Sequence, residues 1–169
     1  YIPLNDGSKT RVKGEVYLHN NAVSIPSINL AFNSTKGMVS FDNESINIAA
    51  MRASLLQQPA TIDVSGKQLT DKYVLTANMV GDWEMPLLAQ NVSEELASLF
   101  GGSSPWNLDL ALNLMAKDFT YVAELTSNLE GVKADLPKPF GKTAVQNLPL
   151  RLTAKGDRIA SSVDLTLGD

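Results

Sequence analysis

The chain has 169 residues, 44% of them hydrophobic, with 14 Lys and Arg against 18 Asp and Glu and a net charge of −4. That length fits one domain able to bury roughly two-thirds of its unfolded surface, so neither a disulfide nor a metal is needed to stabilise it. The mildly acidic, dispersed charge argues against nucleic acid and against electrostatic docking on an anionic membrane. The absence of Cys excludes thiol catalysis and Cys-ligated zinc.

The chain opens with Tyr1-Ile2-Pro3, without a charged leader, and no run reaches the ~18 apolar residues of a membrane span. It therefore reads as an interior piece of a longer protein. Period-2 alternation follows almost at once. Arg11 to Leu18 carries Val12, Val16 and Leu18. Val23 to Phe32 carries Ile28, Leu30 and Phe32, with Pro26 marking a bulge or an edge because it cannot donate to a ladder. After a turn at Thr35-Lys36-Gly37, Met38 to Asp42 places Val39 and Phe41 on one face. A turn at Asp42-Asn43-Glu44 leads into Ser45 to Leu56, with Ile46 and Ile48 together. Ala60 to Ser65 carries Ile62 and Val64, and Ser65-Gly66-Lys67 reads as the next turn. Tyr73 to Val80 then presents Tyr73, Leu75, Ala77 and Met79.

Met85 to Phe100 breaks the pattern. Its apolar residues Leu88, Val92, Leu96 and Leu99/Phe100 recur at helical spacing, Pro86 suits a first turn, and Gly101-Gly102 gives a stop. The expectation is one amphipathic helix over about 85–100, lying on the sheet or plugging one end. The clearest strand follows: Trp106, Leu108, Leu110, Leu112 and Leu114 alternate with mostly polar partners, among them Asn107, Asp109 and Asn113. Phe119 to Ser127, Leu148 to Lys155 and Arg158 to Leu167 complete the strands. Turns are expected at Ala116-Lys117-Asp118 and Lys155-Gly156-Asp157. Residues 130–149, with Pro137, Pro139 and Pro149, read as a long excursion.

Connections this short imply antiparallel neighbours. The fold class expected is mostly β: a curved antiparallel meander forming an apolar groove, with one amphipathic α-helix. The whole chain, 1–169, reads as a single domain with strands over 11–80, the helix over 85–100 and strands over 104–167. Alternation shows only that one face avoids water. A closed sandwich satisfies that, and so does an open sheet whose face needs acyl chains or a neighbouring repeat as cover.

Catalytic and metal-binding constellations are missing. His19 is the one histidine, at an expected strand end, and reads as a solvent-facing polar residue. No nucleophile elbow, P-loop or dinucleotide fingerprint occurs. Asp42 and Glu44 belong to turn chemistry, Glu94-Glu95 to a polar helix face, and Asp109 and Glu124 to solvent-facing strand positions. The N-x-S/T triplets at Asn33, Asn43 and Asn91 are expected from the abundance of Asn and Ser. Trp83 and Trp106 bracket the helix and are expected to pack its joint with the sheet. No enzyme activity, cofactor or metal is expected.

A resemblance adds to this. Ser127-Asn128-Leu129-Glu130-Gly131 is followed by Leu136-Pro137-Lys138-Pro139-Phe140-Gly141-Lys142 and then Leu148-Pro149-Leu150-Arg151-Leu152. That order of "S-x-L-x-G", "LP-x-P-x-GK" and "PL-x-L", with Lys36-Gly37-Met38-Val39-Ser40-Phe41 in the first half, resembles the AsmA-like family, and its YhdP branch most. The resemblance implies a periplasmic segment of a Gram-negative envelope protein anchored elsewhere in the inner membrane. It further implies stacked β units that move phospholipid toward the outer membrane. The implied partners are phospholipid acyl chains and flanking repeats of the same polypeptide, with membrane contact only through parts outside this segment. The family brings no catalytic residues. Candidate lipid-contacting positions come from alternation alone: Val39, Phe41, Ile46, Ile48, Leu75, Met79, Trp106, Leu108, Leu110, Leu112 and Leu114. The rival expectation is a structural module whose closed core consumes every apolar face.

Overall fold

The computed structural model describes residues 10–25, 30–138 and 140–168. Its main body is one nine-stranded antiparallel sheet. The strands run β1 (Lys13–Ile25), β2 (Leu30–Asp42), β3 (Ser45–Leu55), β4 (Gln58–Gln68) and β5 (Tyr73–Glu84). After two short helices and a two-residue strand, β6 (Phe100–Gly101), the sheet resumes with β7 (Ser103–Leu114) and β8 (Phe119–Ser127). It ends with β10 (Leu150–Asp157) and β11 (Ser161–Leu167). The order in space is β1-β2-β3-β4-β5-β7-β8-β10-β11, so each strand lies beside its neighbour in sequence. β1 and β11 occupy opposite edges and do not pair, so the sheet is not closed. A second ladder pairs β6 with β9 (Lys133–Ala134). The antiparallel meander is thus present, and the closed sandwich is not.

Several glycines expected in turns lie inside strands. Gly66 sits within β4, and the turn comes later, where the Leu69 N–H donates to the Lys72 carbonyl at 2.8 Å. Gly156 belongs to β10. The turn after it is made by Asp157, whose Oδ1 accepts from the N–H groups of Ile159 and Ala160 at 2.7 and 2.9 Å. Those two bonds hold its carboxyl below the usual range. Thr35-Lys36-Gly37 runs through the middle of β2. Thr35 is fully buried there and its hydroxyl donates to the Asn21 carbonyl at 2.7 Å. Val23 to Phe32 is not one strand: β1 ends at Ile25 and β2 begins at Leu30, which pair with each other. Pro26 and Ile28 lie outside the described residues. One turn carried no signal. Leu56 and Gln57, both at positive φ (50° and 67°), join β3 to β4 as a two-residue hairpin without glycine.

The expected helix is two helices. α1 (Met85–Gln90) and α2 (Glu94–Ser98) are separated at Asn91-Val92-Ser93. Ser93 ends the run because its hydroxyl accepts from the Leu96 N–H at 3.0 Å, the N-cap arrangement that starts a new helix. Val92, expected on the apolar face, is 78% exposed at the break. Leu88 and Phe100 do pack inward, against the core.

That core sits toward one end of the sheet. Phe32, Met51, Ile62, Met79, Trp83 and Trp106 on the strands meet Leu129 and Val132 from the excursion after β8. Trp83 and Trp106 stack with centroids 6.3 Å apart, as expected for residues at the helix-to-sheet joint.

Candidate functional site

Register brings the alternating positions of all nine strands onto one face. Directly opposite residues of an antiparallel pair share a face. One such row reads Val16, Val39, Ile48, Val64, Ala77, Leu110, Ala123, Ala154 and Val163. A second reads Gly14, Phe41, Ile46, Gly66, Leu75, Leu112, Tyr121 and Gly156. A third carries Met51, Ile62, Met79, Leu108, Leu125, Leu152 and Leu165. No charged residue interrupts these rows. At the ~4.8 Å spacing of sheet strands, the first row, which crosses all nine, runs about 38 Å across the molecule.

The glycines make room for large neighbours. A Cβ on Gly14 would lie 2.5 Å from the Phe41 ring, and one on Gly81 would meet the Trp83 indole. The Phe41 ring thus reaches over the backbone of the neighbouring strand, and the Trp83 indole folds back over its own.

The structure divides the candidate residues in two. Met79 and Trp106 are each 5% exposed, inside the core cluster and out of reach of a ligand in this conformation. Val39, Phe41, Ile46, Ile48, Leu75, Leu108, Leu110 and Leu112 are half-buried, and Leu114 is exposed. Alternation could not separate the two groups, because cover comes from residues outside the strands: Met85, Leu88 and Phe100 from one side and Leu129 and Val132 from the other. The same face continues where no candidate was placed. On β11, Val163 and Leu165 are 63% and 62% exposed.

The opposite face is polar. Asn78 Nδ2 donates to Asn107 Oδ1 and Asp109 Oδ1 at 2.7 and 2.8 Å, and Asn107 Nδ2 donates to Asp109 Oδ2 at 2.6 Å. Asp109 stands directly opposite Glu124, which pairs with Arg151 at 2.7 Å. These carboxylates are engaged by amides and a guanidinium. Hollows of about 760 and 580 Å³ indent this face. The first is bordered by Asp82, Asn107 and Arg151, the second by Asp63, Asn78, Asp109 and Glu124. Val80, Pro105, Pro149 and Leu150 also line the first, and Ala111 and Val122 the second, so the charged groups make these hollows a costlier seat for an acyl chain than the uncharged rows without closing them to one. His19 is exposed, as expected. Among the described residues no group of acidic or histidine side chains could hold a metal ion.

The glycine and lysine that end the "LP-x-P-x-GK" run have an architectural role. The Lys142 side chain is buried, and its ammonium donates to the carbonyls of Val132, Leu129 and Thr143 at 2.6, 2.7 and 3.1 Å. Burial pushes its pKa down. A Cβ on Gly141 would lie 2.5 Å from the Leu136 carbonyl oxygen, so the backbone closes there only without a side chain. The motif folds the excursion that lies against Trp83 and Trp106. Pro139 lies outside the described residues.

Comparison with known proteins agrees with this architecture. The family model described as "YhdP protein" matches residues 1–169. The "Intermembrane phospholipid transporter YhdP" of Escherichia coli (strain K12) is 31% identical over 166 residues, which is 98% of this chain and 13% of the relative. The chain therefore spans a small part of that protein's length. No solved structure matches. With the family match over its full length and its open β meander, the chain belongs to the YhdP family of AsmA-like proteins.

Proposed function

We propose that this chain is a periplasmic section of an intermembrane phospholipid transporter, in which the apolar sheet face carries acyl chains. The observation that supports this is the uninterrupted apolar face, half-exposed across nine strands. An apolar face of this extent on an open sheet is a binding surface, and each methylene withdrawn from water onto it contributes about 0.8 kcal/mol. No catalytic group is needed for that. The candidate contacts are Val39, Phe41, Ile46, Ile48, Leu75, Leu108, Leu110, Leu112 and Leu114, with Val163 and Leu165 added. Flanking repeats of the same polypeptide would continue the face beyond β1 and β11. No described helix is long and apolar enough to cross a membrane. In this reading the inner-membrane anchor belongs to other parts of a Gram-negative envelope protein, and this section contacts acyl chains and its flanking repeats, with membrane contact made only by parts outside it.

The test is a photo-crosslinking residue placed singly at Leu110 or Leu75, and at Ala111 or Thr76 on the other face, followed by mass spectrometry of adducts formed with phospholipid. Adducts confined to Leu110 and Leu75 are expected. Equal labelling of both faces, or none on the apolar one, removes the proposal.

A further inference from the structure

We propose that residues 85–102 form a hinged cap that opens off the apolar face and uncovers Met79, Trp83 and Trp106. The segment leaves the sheet at Glu84 and returns at Ser103, and these two residues pair with each other. Its feet are therefore adjacent, and it can swing without disturbing the nine-stranded sheet. The fixed foot is clamped by Gln58, whose side chain bonds both the N–H and the carbonyl of Glu84. The moving foot is Gly101-Gly102, a pair able to absorb large backbone rotations.

The latch is small. It consists of the pairs Phe100 with Ala134 and Gly101 with Lys133, the Asp135 N–H donating to the Leu99 carbonyl at 2.8 Å, the Met85 N–H donating to the Gly102 carbonyl at 3.0 Å, and the packing of Met85, Leu88 and Phe100 on the core. The cap itself is weak. Its helices have 6 and 5 residues, well under the ~12–15 needed for marginal stability alone. Ala89 is the one buried residue of α1, and α2 has none. Within the core cluster that this segment packs against, the buried Trp106 Nε1 has no hydrogen-bond partner among the described residues. Opening hydrates that group, which offsets part of the lost apolar contact. A segment with few buried groups, a short latch and an orphan donor in the core it packs against belongs to the low-stability end of a fold. The cap's role in admitting lipid rests on the transport reading; its opening does not.

The chain's 2 tryptophans both belong to the core cluster against which Met85, Leu88 and Phe100 pack, and it has no Cys, so one double variant tests the idea cleanly. In Phe100→Cys with Ala134→Cys, oxidation joins directly paired positions and locks the latch. Acrylamide quenching of tryptophan emission is expected to fall about twofold or more on oxidation and to recover with reductant. Equal quenching in both states overturns the cap. In the unaltered chain, amides of 94–99 are expected to exchange at least about tenfold faster than those of Met79 and Leu108. Equal protection overturns it as well. Micelles of brominated phosphatidylcholine separate the two proposals. Quenching only in the reduced protein supports both. An oxidation-dependent acrylamide effect without bromolipid quenching in either state supports the cap and counts against lipid on this face.

Discussion

Tyr73 lies across Gly66 of the neighbouring strand, so closely that a Cβ on Gly66 would stand 2.5 Å from the Tyr73 hydroxyl oxygen and 2.6 Å from Ile46 Cγ2. The glycine is there for the close approach, since no positive φ requires it. Gly66→Val should therefore destabilise the chain by about 1–3 kcal/mol through overpacking, although β-propensity alone favours Val in a strand. Urea unfolding measures this. An unchanged midpoint would show that Tyr73 swings away freely. Paired with Tyr73→Ala, Gly66→Val should recover part of the loss, because the clash is shared.

Lys142 holds the excursion after β8 through three carbonyls. Lys142→Met keeps the stem and orphans those acceptors, which should cost about 2–4 kcal/mol. Loss of the loop should also expose Trp83 and Trp106, seen as a red shift in their emission. The pH dependence has a definite sign. Burial lowers the folded-state pKa of Lys142 below 10.5, so the native state releases this proton before the unfolded chain does. The cost of burying the charge is fully present below the folded pKa and fades as pH rises through the window up to 10.5. The wild type should gain stability relative to Lys142→Met as pH climbs through that window, in parallel thermal melts of the two proteins. A difference that shrinks would reverse the assignment.

How far the sequence discloses this arrangement depends on the range of the interaction. The face of β7 is legible because alternation from Trp106 to Leu114 is local, and the meander follows from short connections. Gly66, Gly156 and Gly37 mislead because a glycine chosen for an aromatic or backbone neighbour on the next strand looks like one chosen for a turn. The hairpin at Leu56-Gln57 is silent for the opposite reason, since the paired strands impose positive φ on residues with no preference for it. The burial of Met79 and Trp106, against the half-exposure of Leu110, is decided by a cap and an excursion outside the strand. Lys142 illustrates the same limit: nothing in its neighbours announces three carbonyls gathered from residues 129–143.

Ala50 occupies positive φ (49°) at a bulge in β3, where its N–H donates to Asp63 Oδ1 at 2.9 Å. Asn20 and Ser34, on the two preceding strands, also have positive φ, and the register shifts beside each. The three irregularities fall within a few residues of one another in register on adjacent strands, where bulges bend a strand and raise its twist. Ala50→Val forces a β-branched residue into this conformation and should cost about 1–2 kcal/mol, while Ala50→Gly should cost nothing measurable. Asp63→Ala should resemble Ala50→Val by removing the acceptor. Thermal melts of the three variants would show whether the bulge depends on this bond, and a benign Ala50→Val would mean that it relaxes.

The apolar face can be charged without unfolding the chain only where it is already wet. Val163 and Leu165 on the edge strand β11 are 63% and 62% exposed, so Val163→Glu or Leu165→Glu gives up little packing and should change stability by about 0.5 kcal/mol or less. Met79, in the same row as Leu165 but 5% exposed within the core cluster, is the contrast. Met79→Glu would bury an unpaired carboxylate and should unfold the protein or force that group to stay protonated. If acyl chains lie along the rows, the two β11 variants should keep the wild-type melting curve yet lose phospholipid adducts in native mass spectrometry. Retention of lipid by both variants would place any binding on strands other than β11. The polar-face substitution Thr166→Glu, on the same strand, should leave both melting and lipid adducts unchanged, because its side chain points away from the rows that Leu165 and Leu167 extend.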